Sequence, residues 1–334
     1  MRKELAPILE EIQGQNILVI GDMVADIYLD GRISRISREA PVLVLEQAGE
    51  KIIAGGAANV VNNVATLGGN VFAVGLLGLD HAARGLKDAL ENNGAHTEGL
   101  FCDEKRPTIS KTRVIAGGRA TVSQQIVRID KESHEPMAPA FESQLMQYMQ
   151  ALLPKIDGVV ISDYGSGTVT PKLQQLLISW CRAHGVPSIV DSRYDIHRFR
   201  DIGYVKQNDA ELAAAVGREL SSEEDIYAAG QELLEELAAD GVLVTRGELG
   251  MVLLEKDGAI HNIPVSDKSE VFDVSGAGDT CVATVILALA AGVEPADAAE
   301  LSNIASGIAV RKLGTATVSS AELKRALGKE EVRC

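Results

Sequence analysis

The sequence predicts an α/β fold: one mostly parallel sheet carrying helices, with a small antiparallel β lid set apart from it. Three observations lead there. Short apolar runs such as Ile17-Leu18-Val19-Ile20 and Val159-Val160-Ile161 alternate with helical patterns along most of the chain, as strands buried on both faces do. Several of these runs end in an acidic residue, at the edge where open α/β sheets carry their ligands. Two stretches, about 28–48 and 108–130, hold β-rich segments with no helical pattern between them and so interrupt the alternation. With 334 residues and 46% apolar content there is material for a sizeable core. A single domain over 1–334 is expected, the two β stretches being lid insertions.

Composition narrows the function classes. The 32 basic and 47 acidic residues leave a net charge of -15, which disfavours nucleic acid and anionic membrane as partners and requires a locally basic pocket for any anionic ligand. Cys102, Cys181, Cys281 and Cys334 are scattered without a Cys-x-x-Cys pair, so reduced thiols are expected rather than a zinc knuckle or disulfide framework. The histidines show no metal-ligand spacing. Met1 to Gly14 mixes Lys, Glu and Gln with Leu and Ile at helical spacing, unlike a secretion signal. The longest uncharged run, Thr280 to Val293, is too short to span a bilayer. A soluble, cytoplasmic protein is expected.

Taken in order, Asn16 to Ile20 reads as a buried strand ending in Gly21-Asp22, which makes Asp22 and Asp26 pocket candidates. Neither Gly-x-Gly-x-x-Gly nor Gly-x-x-x-x-Gly-Lys-[Ser/Thr] occurs, so a dinucleotide fingerprint and a P-loop are both excluded. Gly117-Gly118 marks a hairpin within the second lid stretch. Ile53 to Asn59 leads into an amphipathic helix, Val60 to Leu67, opened by Gly55-Gly56. Val71 to Val74 is a strand; Ala82 to Asn92 and Phe141 to Leu153 are helices. The strands at Asp157 to Tyr164 and Pro187 to Asp191 flank a helix from Pro171 to His184. Asp22, Asp163 and Asp191 are thereby expected on one pocket rim, although any one such Asp is more often a cap than a ligand. Tyr204 to Gln207 is a strand followed by Asn208-Asp209-Ala210-Glu211, whose Asn and Glu spacing is close to a capping box. Val242 to Met251 reads as strand, glycine-bounded turn and strand. Pro295 to Leu313 and Ser319 to Leu327 are the last helices.

One loop stands out chemically: Asp273-Val274-Ser275-Gly276-Ala277-Gly278-Asp279-Thr280, followed by an uncharged helical run to Gly292. It is a helix N-terminus with glycines that leave backbone donors uncovered, a ready anion site. Asp279 in the first turn could be a simple cap. A carboxylate facing a phosphate is repelled by its ligand, however, unless it has a chemical task, and accepting a hydroxyl proton is such a task.

Asp-x-x-Gly-Ala-Gly-Asp-Thr opening an apolar helix resembles the signature of the ribokinase-like (PfkB) carbohydrate kinases, and the likeness runs along nearly the whole chain. It implies a three-layer α/β/α sandwich with a strand lid over the sugar, a lid that in some members pairs between subunits, so a homodimer through the lid is among the expectations. It implies ATP and magnesium as cofactors and a small sugar phosphate as partner. By this resemblance Asp279 is the base and the Gly276, Ala277 and Gly278 amides form the anion hole. Asn208, Asp209, Ala210 and Glu211 match the motif whose Glu holds magnesium through water. Thr245, Arg246, Gly247 and Gly250 match the turn beside the nucleotide phosphates, and Asn303 falls at the adenine pocket. Gly55, Gly56 and Asn59 match the sugar end, joined by Asp22, Asp26, Asp163 and the lid cations Arg35, Lys111 and Arg113, with Arg35 or Arg113 expected on a distal phosphate.

Within the family, Ser34 to Val42, Pro107 to Val114, Gln124 to Asp130 and Ser162-Asp163-Tyr164 look like the kinases of bacterial ADP-heptose synthesis, which phosphorylate the anomeric hydroxyl of D-glycero-β-D-manno-heptose 7-phosphate. Two places depart from that pattern: Gly165-Ser166-Gly167 stands for Ala-Lys-Gly, and Asp191-Ser192-Arg193-Tyr194 for Asp-Pro-Lys-Gly. A kinase of another sugar, or a non-catalytic sugar or nucleotide sensor on the same fold, are the alternative readings, and Asp279 speaks against the sensor. With the chain ending at Cys334, a following nucleotidyl transfer is expected to fall to another protein.

Overall fold

The computed structural model describes residues 5–117, 123–133, 135–265 and 271–331. Gly118 and Arg119 of the expected lid turn, with His134 and Cys334, lie outside the described residues. The chain opens on α1 (Ile8–Glu11) and β1 (Asn16–Gly21), leaves the main sheet along β2 (Met23–Ile36), returns on β3 (Leu43–Gly56), and continues through α2 (Ala57–Thr66), β4 (Asn70–Gly78), α3 (His81–Glu91) and β5 (His96–Asp103). β6 (Ser110–Gly117) and β7 (Gln124–Lys131) complete the lid. Then come α4 (Pro139–Leu152), β8 (Gly158–Asp163), α5 (Pro171–His184), β9 (Ser188–Ser192), β10 (Tyr204–Asn208), α6 (Asp209–Val216), α7 (Glu223–Leu237) and β11 (Gly241–Thr245). β12 (Met251–Glu255), β13 (Ile260–Ile263), α8 (Ala277–Ala290), α9 (Pro295–Ala309) and α10 (Ser320–Glu331) close the domain.

The main sheet runs β13-β12-β11-β10-β9-β8-β1-β4-β5. It is parallel from β11 to β5, and β12 and β13 add an antiparallel edge. Alternating side chains feed two cores. Ile17 and Val19 of β1 face the layer containing α2, α3, α8 and α9, while Leu18 and Ile20 face α4, α5 and α7. This is the period-two pattern of a sheet covered on both sides, and it makes the molecule a three-layer sandwich. No helix among the described residues is long and apolar enough to cross a membrane.

The lid differs from expectation in two ways. β2 and β3 form one long hairpin registered from Met23 opposite Gly56 to Ile36 opposite Leu43, with bulges at Asp30/Gly31 and Ile33/Arg35. The Ile53 to Gly56 segment is therefore the end of the lid's return strand, and it leads directly into α2 with Gly56 at the N-cap. The lid is also mixed rather than purely antiparallel, because β2 pairs with β6 in parallel while β3 and β7 flank them antiparallel. Both central strands set out from the same edge of the main sheet, after β1 and after β5, so they run in the same sense.

β5, α7 and β13 were not anticipated. β5 is an edge strand whose polar residues obscure alternation. α7 did carry a signal, since Ser222 and Asp225 form a capping box ahead of buried Ile226, Ala229, Leu233 and Leu237.

Candidate active site

A cavity of about 880 Å³ opens at the carboxyl ends of β8 to β11, where Asp163, Asp191, Asn208 and Thr245 line it, and it is closed on the other side by the turn into α8. Strand order changes direction beside β1, the place where such sheets bind ligands. The helix behind the turn is buried from Asp279 through Ala288, so its N-terminal dipole points into the cavity from a low-dielectric setting.

Gly276 takes a left-handed conformation at φ 81°, and a β-carbon there would press on Asn59 Nδ2 at 2.6 Å. That crowding is informative, because Asn59 is what holds Asp279. Asn59 Nδ2 donates to Asp279 Oδ2 at 2.7 Å and the Tyr164 hydroxyl donates to Oδ1 at 3.1 Å. Asn59 is fully buried, so it faces the carboxylate from α2, and its expected role as a sugar contact gives way to that of orienting Asp279. Burial, opposed by Asn59 and reinforced by nearby Asp191, raises the Asp279 carboxyl to about 6. Tyr164 is pushed above its usual range by the Asp279 charge and by burial, so it remains a donor.

The set of amides expected to form an anion hole is narrower than the sequence suggests. The Ala277 amide donates to the Val274 carbonyl at 3.3 Å, whereas the Gly278 and Asp279 amides sit in the first helical turn without intrahelical acceptors. Gly278 approaches Lys206 so closely that an added β-carbon would stand 2.8 Å from its Nζ. Nothing in the sequence marks Lys206, on β10, beyond its place in a strand. Its ammonium lies 3.0 Å from Asp191 Oδ2 and 3.8 Å from Glu211 Oε2. Burial alone would drive it neutral, but the Asp191 and Glu211 charges outweigh that and hold it protonated.

The capping box is present: Asn208 Oδ1 accepts from the Glu211 amide at 2.7 Å, and Glu211 Oε2 from the Asn208 amide at 2.9 Å. It presents Asn208 and Glu211 to the cavity. Asp209 points to solvent and accepts from the Ala210 amide at 2.9 Å, and neither residue lines the cavity. Thr245, Gly247 and Gly250 border it, as does Asn303, whose Nδ2 donates to the Pro264 carbonyl at 2.7 Å. Arg246 does not; it is buried and pairs with Glu223 at 3.1 Å.

The acids separate in role. Asp22 is fully buried and accepts from the Tyr164, Ser166 and Thr168 amides. It fastens the loop after β8 and stays off the rim. Asp163 lines the cavity but is engaged by Ser192 at 2.8 Å and Arg198 at 2.7 Å. Asp26 packs over Gly55, whose added β-carbon would fall 2.7 Å from Oδ2, and it pairs with Arg113 at 2.6 Å. Gly56 ends β3 beside it. Arg113 also lies over the Tyr28 ring. Arg35 is exposed nine residues further along β2 than Asp26, roughly 30 Å away at strand rise, so the structure does not bring it to the site. Lys111 of the lid reaches toward the centre, its Nζ 5.9 Å from the Tyr164 ring that Arg193 also approaches, at 5.6 Å.

Comparison with known proteins accords with this geometry. A family model described as pfkB family carbohydrate kinase matches residues 15–322. The bifunctional protein HldE of Citrifermentans bemidjiense is 41% identical over 328 residues, covering 98% of this chain and 66% of that protein. The chain thus spans about two thirds of the length of that relative. Arabidopsis thaliana ribokinase complexed with ribose and ATP matches with a TM-score of 0.71 at 18% identity, covering 94% of this chain and 99% of that one. Escherichia coli phosphofructokinase-2 in complex with substrates and products gives 0.73 at 21%, over 95% and 99%. These two likenesses establish the ribokinase-like fold. A family match that omits only the two ends of the chain, joined to that fold and to a buried Asp at an open helix N-terminus, means that the chain belongs to the pfkB family of carbohydrate kinases.

Proposed function

We propose that this chain transfers the γ-phosphoryl group of ATP to the anomeric hydroxyl of D-glycero-β-D-manno-heptose 7-phosphate, giving the 1,7-bisphosphate. The observation that carries phosphoryl transfer is Asp279: a carboxylate buried at the mouth of an anion site, with each oxygen held by a separate donor. The heptose assignment is supported by the 41% identical relative and by the lid segments that resemble heptose kinases. Asp279 receives the hydroxyl proton, Asn59 and Tyr164 fix its plane, and the Gly278 and Asp279 amides meet the charge developing on the transferred oxygens. A well-placed donor of this kind contributes about 3 to 4 kcal/mol. A carboxyl near 6 is a better proton acceptor than an ordinary Asp and is still ionised at neutral pH.

The residues present fit magnesium carried with the nucleotide. Glu211 offers a carboxylate on the cavity wall, and among the described residues no group of His, Cys, Asp and Glu could hold a metal by itself. One carboxylate, water and substrate phosphates is a usual magnesium environment. When bound, the ion would offset phosphate charge, with Glu211 holding it through water. Thr245, Gly247, Gly250 and Asn303 form the nucleotide side. Lys111, not Arg35 or Arg113, is assigned to the distal phosphate.

Two further readings belong here. Exposed Ile36, Val42, Leu43, Val127 and Ile129 give the lid an apolar face, which supports a homodimer through the lid. The free thiols Cys102, Cys181 and Cys281 support a cytoplasmic location. ATP consumption measured against a panel of sugars and sugar phosphates tests the proposal. Turnover confined to phosphorylated heptose is expected, and turnover of an unphosphorylated sugar at equal efficiency would move the assignment to another kinase of the family.

A further inference from the structure

Lys206 occupies a position that the reaction just described leaves without a task. It is 5% exposed and stands at the floor of the cavity, under the Gly276 to Asp279 turn and beside Glu211. Neutralising Asp191 is a weak reason to keep it there, because a buried ion pair roughly breaks even against apolar residues of similar size. Among the described residues only Asp191 lies within hydrogen-bond distance, at 3.0 Å, while an ammonium has three donors. The cavity also has an electrostatic problem. Asp191, Glu211 and Asp279 are three of the five carboxylates that line it, and together these repel the polyphosphate that the site must accept. The other lining cations are less enclosed: Arg193 is half exposed, 4.0 Å from Glu211 and over the Tyr164 ring, and Arg311, just beyond the end of α9, is exposed.

We propose that Lys206 is a catalytic residue that grips the γ-phosphoryl group, its remaining donors directed at the oxygens that pass from nucleotide to sugar. This rests on the kinase reading above. As the sugar oxygen forms its bond to phosphorus, the bond from phosphorus to the bridging oxygen breaks, and its electron pair leaves on ADP. The hydroxyl proton goes to Asp279. Lys206 keeps its own proton throughout and acts as a fixed charge beside the Gly278 amide. A compact point charge suits phosphate, and Asp191 serves to hold its flexible four-carbon stem in place.

The discriminating measurement is nucleotide affinity, because ADP lacks the group Lys206 is assigned to. Lys206→Met and Lys206→Gln, the second keeping a polar head should the first fail to fold, are titrated with ATP and with ADP and assayed for turnover. ATP should bind about 10-fold more weakly, ADP should change by less than about 3-fold, and kcat should fall about 100- to 1000-fold. Equal losses for ATP and ADP would reduce Lys206 to a structural counter-ion, as would an unchanged kcat. A wild type that binds ATP yet phosphorylates no sugar would overturn the kinase reading, while the ATP-against-ADP contrast would still decide whether Lys206 meets the third phosphate.

Discussion

Asp279 has two consequences that pull in opposite directions. In the unfolded chain its carboxyl titrates near 3.8, and in the fold near about 6. The folded state therefore holds the proton more tightly, so raising the pH through this window costs stability, and the cost is fully present above the folded value. Asp279→Asn should accordingly be more stable than the wild type at pH 8, by about 1 to 3 kcal/mol and hence with a higher melting temperature, with the gain shrinking toward pH 4. The same substitution should lower turnover by about two to four orders of magnitude while ATP still binds. Thermal melts across pH check the first, steady-state kinetics the second. Catalysis needs the ionised form, so kcat/KM should fall on an acid limb near pH 6. The groups facing this carboxyl are Asn59 from α2, Tyr164 after β8, Asp191 at the end of β9 and Lys206 on β10. Removing the Tyr164 hydroxyl takes away a bond that favours the charged form, so Tyr164→Phe should move the acid limb to higher pH; a limb that stays in place would leave Tyr164 a packing residue.

At the level of elements, the legible parts were those written locally. Two glycines before an apolar run announce α8 and its open N-terminus, and Asn208 with Glu211 announces the cap of α6. Long-range partnerships were not legible. Asn59 and Asp279 are 220 residues apart, and nothing local to Asn59 indicates that its amide meets a carboxylate instead of a sugar. Asp22 and Arg246 have the chemistry of site residues, but three backbone amides consume one and Glu223 the other. Arg113 is likewise held by Asp26. Glu211→Gln should raise the magnesium requirement with little loss of fold, because an amide keeps part of the capping geometry and loses the charge; a magnesium titration matching the wild type would return Glu211 to a purely capping role. In the lid, Lys111→Ala should lower kcat/KM for the phosphorylated sugar roughly 10- to 100-fold, the loss expected of a charge-assisted contact. The KM for ATP should hardly move.

For the whole molecule, the fold was readable because a doubly covered parallel sheet needs continuous apolar strands, and these stand out. Its edge strands β5 and β13 mix polar residues and do not. The lid's exposed apolar side predicts sedimentation as a dimer, and Val127→Glu with Ile129→Glu should shift the protein toward monomer without lowering its melting temperature. Phosphoryl transfer to a sugar phosphate is the activity proposed for these parts together. The measurement that bears on it most directly is phosphorus NMR of heptose 7-phosphate incubated with ATP, magnesium and the protein. Growth of a second sugar phosphate ester at the anomeric position, in step with ADP, is the predicted result. ATP left intact beside that acceptor, or a phosphate appearing on a different hydroxyl, would contradict it.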